Sequence, residues 1–266
     1  MSQYETHSVS SPARPSEVVL RRLRALAPLN EREAALVLGL GAQRQVHNPG
    51  VELFGEGHLR GRPKVLLSGW ACRCRALPDG RRQIFTFVLP GDALGLCRRA
   101  APAAMSTAVA VTRVVTADAT TLAEAAFDQD SEHENLASAV SAAGALDDAS
   151  LLDQIVRLGR HTAYERTAHL FLELRWRLAA VGLASENRFP MPLTQEVLAD
   201  ALGLSIVHVN RTMQQLRRDG LIETRSGYVE ILRLEAMVAT CDFRPPQPGR
   251  PWERDPRAAD PLRPIA

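Results

Sequence analysis

The chain reads as an α+β protein: an N-terminal jelly-roll β-barrel, a long helix suited to dimerisation, and a C-terminal winged helix-turn-helix. Three observations predict this. Between Gln43 and about Thr121 short apolar runs alternate with Gly- and Pro-rich turns, the texture of a barrel or sandwich. From about Ser131 to Leu183 turn residues become rare and apolar residues recur at helical spacing. From Leu193 to Ile222 a capped helix, a turn glycine and a second capped helix follow in register.

Residues 1–16 are rich in Ser and Pro and are predicted to be disordered. The barrel domain is placed at 17–130. It opens with a short helix from Glu17 to Leu26 and a second from Glu31 to Leu40, capped by Asn30. Strands are expected at Lys64–Leu67, Trp70–Ala76, Gln83–Leu89 and Ala108–Thr116. The turns between them fall at Asn48-Pro49-Gly50, Gly55-Glu56-Gly57, Pro78-Asp79-Gly80 and Pro90-Gly91-Asp92. A helix at 131–158, interrupted near Gly144, carries Leu136, Val140 and Ala143, then Leu151, Leu152, Ile155 and Leu158. The last four suit a two-helix dimer seam; packing on the chain's own barrel satisfies the same periodicity. The winged helix-turn-helix is placed at 159–242. Its first helix runs from His161 to Val181 and ends at Gly182. Its wing is a hairpin of Ile222–Thr224 and Tyr228–Leu232 around Arg225-Ser226-Gly227. Residues 243–266 are rich in Pro and Arg and read as a disordered tail with a weak attraction for phosphate.

Within Leu193–Ile222, Thr194 caps a first helix to Leu202 and Glu196 places negative charge at its N-terminal end. Gly203 supplies the turn. Ser205 caps a second helix, which runs to about Asp219 before Gly220 stops it. Leu198, Leu202, Leu204, Val209, Met213 and Leu216 are spaced to bury one face, and Ala199 is small where the helices cross. Ile206, Val207, Asn210, Arg211 and Gln214 then share the outward face. A helix of this kind lies in a DNA major groove with its N-terminal part on the base edges. Asn and Gln pair with adenine and Arg with guanine. Arg217, Arg218 and Arg225 are placed for phosphate contacts, which hold without reading sequence. His208, early on the same helix, is in reach of a phosphate or a base. The partner implied is double-stranded DNA.

Length and composition suit two ordinary globular domains: 266 residues, 45% hydrophobic and 23% charged. The net charge of +2 requires that DNA binding rest on a local basic surface. No long apolar run marks a signal peptide or a membrane span, so a cytoplasmic protein is expected. Cys72, Cys74, Cys97 and Cys241 form neither a disulfide framework nor a zinc pattern. Cys72 and Cys74 point to one face of a strand. They either fill the barrel as small residues or share a partner in redox or metal sensing. His47, His58, His133, His161 and His169 are scattered and read as structural or exposed. No nucleophile–base pair, glycine-rich phosphate loop or metal-ligand set is present, so no enzyme activity and no cofactor or metal is expected.

The order of parts resembles the Crp/Fnr family of bacterial transcription regulators, over roughly Leu23 to Leu234. Three stretches carry the resemblance: VLLSGWACRCRALPDGRRQIFTFVLPGD (Val65–Asp92), GRHTAYERTAHLFLELRWRL (Gly159–Leu178) and the helix-turn-helix. It implies a cyclic-nucleotide-binding-type barrel, a homodimer through the long helix, a near-palindromic DNA site and contact with RNA polymerase. Two departures stand against it. Cyclic-AMP-binding relatives carry Gly-Glu and Arg-Ser pairs that hold the ribose and the cyclic phosphate. Here these positions are Gly95-Leu96 and Met105-Ser106, with Arg98 and Arg99 nearby as the nearest substitutes. A buried phosphate without a cation is costly, so the pocket reads as degenerate or as the site of another ligand. Many relatives also begin the second helix Ser-Arg-Glu; here it begins Ser205-Ile206-Val207, which removes an acceptor for cytosine N4. Fnr-type iron–sulfur binding is not supported, since no cysteine precedes Cys72. The sequence thus describes a homodimeric DNA-binding regulator that does not depend on cyclic AMP. The alternative is a sensor whose barrel effector, a small molecule or a redox signal, switches DNA binding.

Overall fold

The structure is a computed structural model and describes residues 15–59, 61–97, 103–128 and 132–246. The barrel is preceded by α1 (Glu17–Arg24) and α2 (Glu31–Gly39). Asn30 and Glu33 form a reciprocal capping box at the start of α2. The second Glu33 carboxylate oxygen accepts from the Leu136 backbone N–H at 2.9 Å, which ties α2 to a helix one hundred residues later.

Eight strands build two four-stranded antiparallel sheets: β1 (Arg44–His47), β2 (Glu52–Phe54), β3 (Lys64–Ser68), β4 (Ala71–Ala76), β5 (Arg82–Val88), β6 (Ala93–Leu94), β7 (Thr107–Ala110) and β8 (Val114–Asp118). One sheet has the order β1-β8-β3-β6 and the other β2-β7-β4-β5, a two-sheet arrangement of the jelly-roll kind. The stretch expected as one strand, Ala108–Thr116, is two. The backbone N–H groups of Val111 and Thr112 both donate to the Trp70 carbonyl, at 2.8 and 3.1 Å. That bend carries the chain from the β4 side of the barrel to the β3 side. Gly91, in the turn after β5, has φ +95°; a β-carbon there would meet the Val18 carbonyl and the Arg22 and Val181 side chains at 3.0–3.2 Å.

After α3 (Thr120–Phe127), α4 runs unbroken from Glu134 to Arg160, 27 residues or about 40 Å. The expected interruption at Gly144 does not occur. Nothing lies within 4 Å of a β-carbon there, and one glycine costs only about 1 kcal/mol of helix propensity. A capping box of Thr162 and Glu165 starts α5 (Ala163–Ala180). Then come β9 (Arg188–Pro190), α6 (Gln195–Leu202), α7 (Ile206–Arg218), the hairpin β10 (Ile222–Arg225) and β11 (Tyr228–Ile231), and α8 (Leu234–Cys241). The strand β9 and the helix α8 are additions to the elements legible in the sequence. β9 pairs with β11 and makes the wing three-stranded. Phe243, the first residue of the expected tail, is buried and meets His169 edge-on at 5.1 Å.

The core of the C-terminal domain, centred on Phe171, Phe189, Leu198 and Val209, continues into the barrel. The strand alternation explains this. Cys72, Cys74, Ile84 and Phe87 lie on the outer face of β4–β5 and join that core. Ala71 and Val88 face the barrel interior with Leu53, Leu66 and Val114.

Candidate nucleic-acid interface and barrel cavity

The helix-turn-helix is built from local caps. The Thr194 hydroxyl accepts from the Val197 N–H at 3.2 Å, and the Ser205 hydroxyl from the His208 N–H at 3.3 Å. Between the helices Gly203 adopts φ 63°, ψ 38°, the left-handed conformation a side chain resists. Val209, Thr212, Met213 and Leu216 bury one face of α7. Ile206, Val207, His208, Asn210, Arg211, Gln214, Arg217 and Arg218 are all exposed. Val207 is 60% exposed; the first turn of α7 thus offers methyl groups to the outside, the chemistry that meets a thymine methyl.

The arginines of this face differ in what holds them. The side chains of Arg211 and Arg217 make no hydrogen bond or ion pair with any other described residue. Arg218 donates to Gln215 Oε1 at 2.8 Å, and Gln215 Nε2 to Asp219 Oδ1 at 2.7 Å. Asp219 also accepts from the Tyr164 hydroxyl at 2.7 Å. Burial and that hydrogen bond push the Tyr164 phenol up to about 12, so it donates throughout the neutral range. The Arg233 guanidinium reaches the Asp219 and Gly220 carbonyls. In the wing, Arg225 forms a fork on Glu223 Oε1 at 2.5 and 2.9 Å. Arg225 is therefore held on the hairpin with its side chain 78% exposed, at the position read from the sequence as placed for phosphate contact. Arg188 stacks over the Tyr228 ring at 4.2 Å beside it; nothing local in the sequence marks this pair, since β9 forms only by pairing with β11.

The helix-turn-helix is fastened to the rest of the molecule at the C-terminal end of α6, where helical carbonyls lack partners. Gln83 Nε2, on β5, donates to the Asp200 carbonyl at 2.9 Å, and Gln154 Nε2, on α4, to the Ala201 carbonyl at 2.7 Å. Arg166, on α5, donates to the Leu202 carbonyl at 3.1 Å. Arg82 adds an ion pair with Asp200 at 2.7 Å. Deeper, five charges alternate in a buried chain: Arg22–Asp92–Arg177–Glu173–Arg157, with N···O distances of 3.5, 2.6, 3.2 and 2.8 Å. Arg177 also donates to the Phe87 carbonyl at 2.8 Å. One side chain of α5 therefore holds β5 and the Pro90-Gly91-Asp92 turn together.

Between the barrel and α4 lies a cavity of about 660 Å³, within the size range of small-molecule sites. Of the expected pocket residues, Gly95, Leu96 and Ser106 line it. Met105 does not: its side chain turns outward and is 70% exposed. Arg98 and Arg99 lie outside the described residues. The cation facing Ser106 is instead Arg73 of β4, whose Nε donates to Ser106 Oγ at 3.2 Å. Asp147 faces the cavity from α4. Its side chain is open to solvent on one side; partial desolvation by the surrounding protein, and then the Asp92 charge, push its carboxyl up.

Cys72 and Cys74 do share one face, as expected, but the face packs on the helix-turn-helix domain instead of filling the barrel. The hydrogen bond with Cys74, and burial, push the Cys72 thiol well above the usual range. Among the described residues no group of three or more His, Cys, Asp or Glu is placed to hold a metal ion. On α4, Leu152 and Ile155 are 64% and 66% exposed and Val156 is exposed beside them. Leu151 is half-buried, and Leu158 lies against Gly203 of its own chain.

A family model for the Crp-like helix-turn-helix domain matches residues 165–240. The nitrogen fixation regulation protein FixK of Bradyrhizobium diazoefficiens is 31% identical over 229 residues, 84% of this chain and 93% of that protein. The chain belongs to the Crp/Fnr family. The transcriptional activatory protein AadR of Rhodopseudomonas palustris is 29% identical, over 74% of this chain and 82% of that protein. The solved structure of FixK2 from Bradyrhizobium japonicum superposes with a TM-score of 0.64 at 26% identity, covering 74% of this chain and 96% of that one. As a Crp/Fnr protein the chain is a DNA-binding transcription regulator and not an enzyme. No helix among the described residues is long and apolar enough to cross a membrane.

Proposed function

We propose that this Crp/Fnr regulator binds a near-palindromic DNA site as a homodimer, without cyclic AMP. The observation that carries the reading is the outward face of α7. Ile206, Val207, Asn210, Arg211 and Gln214 stand exposed on a helix whose opposite face is packed, and Arg211 is engaged by nothing else described. Arg211 reads a base, Val207 meets a methyl group, and Arg217 and Arg218 lie on phosphate. Thr194 and Ser205 present helix N-termini to the backbone, and the Arg225 fork and the Arg188–Tyr228 stack put the wing beside it.

The dimer reading rests on α4. Ser141, Ala145, Asp148, Leu152, Ile155 and Gly159 are all exposed and repeat at alternating spacings of four and three, the a/d pattern of a two-helix seam. Leu151 flanks this seam, and Leu158, turned to its own chain, supports the helix-turn-helix. Independence from cyclic AMP rests on Leu96, which offers no acceptor to a ribose, and on Met105, which points away from the cavity. Selection of bound duplexes from a random DNA pool, with light scattering of the complex, tests the reading. A two-fold site bound by two chains, unchanged by cyclic AMP, is the expected result. A single asymmetric half-site bound by one chain refutes it.

A further inference from the structure

We propose that the barrel cavity binds a small organic monocarboxylate, seated on Arg73 and Ser106, with an apolar body lying against α4. The argument is a charge inventory. Arg22 and Arg177 line the cavity but are spent on Asp92, at 3.5 and 2.6 Å. Arg73 is different. It lines the same space, yet its one hydrogen bond goes to a neutral hydroxyl, Ser106 Oγ, and no carboxylate among the described residues lies within ion-pair distance of it. A half-buried guanidinium without an anion is a site short of one partner. A guanidinium with a hydroxyl beside it presents several donors to the two oxygens of a carboxylate.

The rest of the wall sets the ligand's other properties. Val65, Val88, Leu94, Leu122 and Val140 make most of the lining apolar, which favours a hydrocarbon body. Asp147 puts negative charge at the α4 end, whereas Asp92 is matched by its two arginines. That end repels a second anionic group at the far end of the ligand, so a monocarboxylate fits and a dicarboxylate of the same length does not. The cation of this anchor is not read from any relative: Arg73 is on β4, Met105 has no part in it, and Ser106 alone falls at the relatives' anion-holding pair.

The test is calorimetry of the full chain with octanoate, octan-1-ol, octanedioate and cyclic AMP, on the wild type, on Arg73→Gln and on Arg113→Gln as an exposed control in the same barrel. Octanoate should bind saturably, with octanol and octanedioate at least about ten-fold weaker, and cyclic AMP should not bind. Arg73→Gln should lose at least about ten-fold for octanoate and leave octanol unchanged; Arg113→Gln should change neither. Retained octanol binding also shows that the Arg73→Gln barrel is folded. Absence of octanoate binding, equal binding of acid and alcohol, tighter binding of octanedioate, or an Arg73→Gln variant that binds octanoate normally each overturns the proposal. A role for this ligand in switching rests on the DNA-binding reading above, and a gel shift with and without octanoate tests it separately. Loss of DNA binding in both conditions would sink that reading and leave the site standing.

Discussion

Arg211 and Arg218 stand two turns apart on α7, and exchanging each for alanine separates base reading from phosphate holding. The Arg211 side chain has no hydrogen bond or ion pair to lose and is exposed, so Arg211→Ala should leave folding stability within about 0.5 kcal/mol of the wild type. On DNA, a bidentate Arg–guanine pair contributes about 1–3 kcal/mol of discrimination per half-site. Two-fold symmetry doubles it, which predicts a loss of about 30-fold to 10⁴-fold on the palindrome and a far smaller one on random duplex. Arg218 must first leave Gln215, a neutral exposed partner at 2.8 Å, and that exchange is nearly neutral. Arg218→Ala removes two phosphate contacts per dimer. The slope of log affinity against log salt should therefore flatten by about 1.8, evenly across sequences. Fluorescence anisotropy across a salt series, on the selected palindrome, a guanine-substituted version and random duplex, reads both quantities. If Arg211→Ala weakens all three duplexes alike, or Arg218→Ala changes base preference with an unaltered slope, the two roles are wrongly assigned.

Ile155→Glu places two like charges at the proposed two-fold seam; light scattering should report a monomer with wild-type circular dichroism and almost no binding to the palindrome, and a persistent dimer would move the seam elsewhere. Arg177→Met should cost about 3–5 kcal/mol in urea unfolding, because Asp92, Glu173 and the Phe87 carbonyl all lose a buried donor. Arg82→Met, at a partly exposed pair, should cost about 1 kcal/mol or less; equal losses would mean that burial does not distinguish the two pairs. Burial, and then the Arg157 charge, hold His169 down to about 4. The unfolded histidine takes a proton near pH 6.5 and the folded one does not, so this stabilisation is complete above pH 6.5 and fades as pH falls, by about 3 kcal/mol at pH 4. His169→Gln should flatten that acid limb of the stability curve, and an unchanged limb would assign it to other groups.

The helix-turn-helix was legible in the sequence because everything that shapes it is local. Thr194, Gly203 and Ser205 act on the two or three residues beside them, and the apolar spacing of α7 needs no partner to be recognised. The barrel was legible only as a class. Its turns are local, but the break between β7 and β8 is imposed by the Trp70 carbonyl, about forty residues earlier in the chain. The buried charges escaped notice for a related reason. Arg22, Asp92, Arg157, Glu173 and Arg177 look like surface residues in a chain whose cations are almost all arginine. Only folding brings them within 3.5 Å of one another, link by link. Arg73 is not legible as a pocket residue because it lies about thirty residues from Met105 and Ser106 in the chain, whereas β4 is next to Ser106 in space. The alternation of β4 held the clue: if Cys72 and Cys74 face out, Ala71 and Arg73 face in.

That inward arginine and the outward cysteines sit on one strand, and the consequence for coupling follows from the sheet. β4–β5 has the cavity on one face and the helix-turn-helix on the other. The polar fastenings at the end of α6 are individually weak, since water can replace Gln83 or Gln154 when the domain moves. The buried charges are not replaceable in this way: separating Arg177 from Asp92 strands two ions in the interior. Yet Arg177 and Asp92 both line the cavity, and Arg177 belongs to α5, the helix that leads into the DNA-binding domain. An occupant that competes for Asp92 therefore acts on α5 directly. One that sits only on Arg73 leaves that pair intact, and alters DNA affinity only as far as it binds the two orientations of the helix-turn-helix unequally.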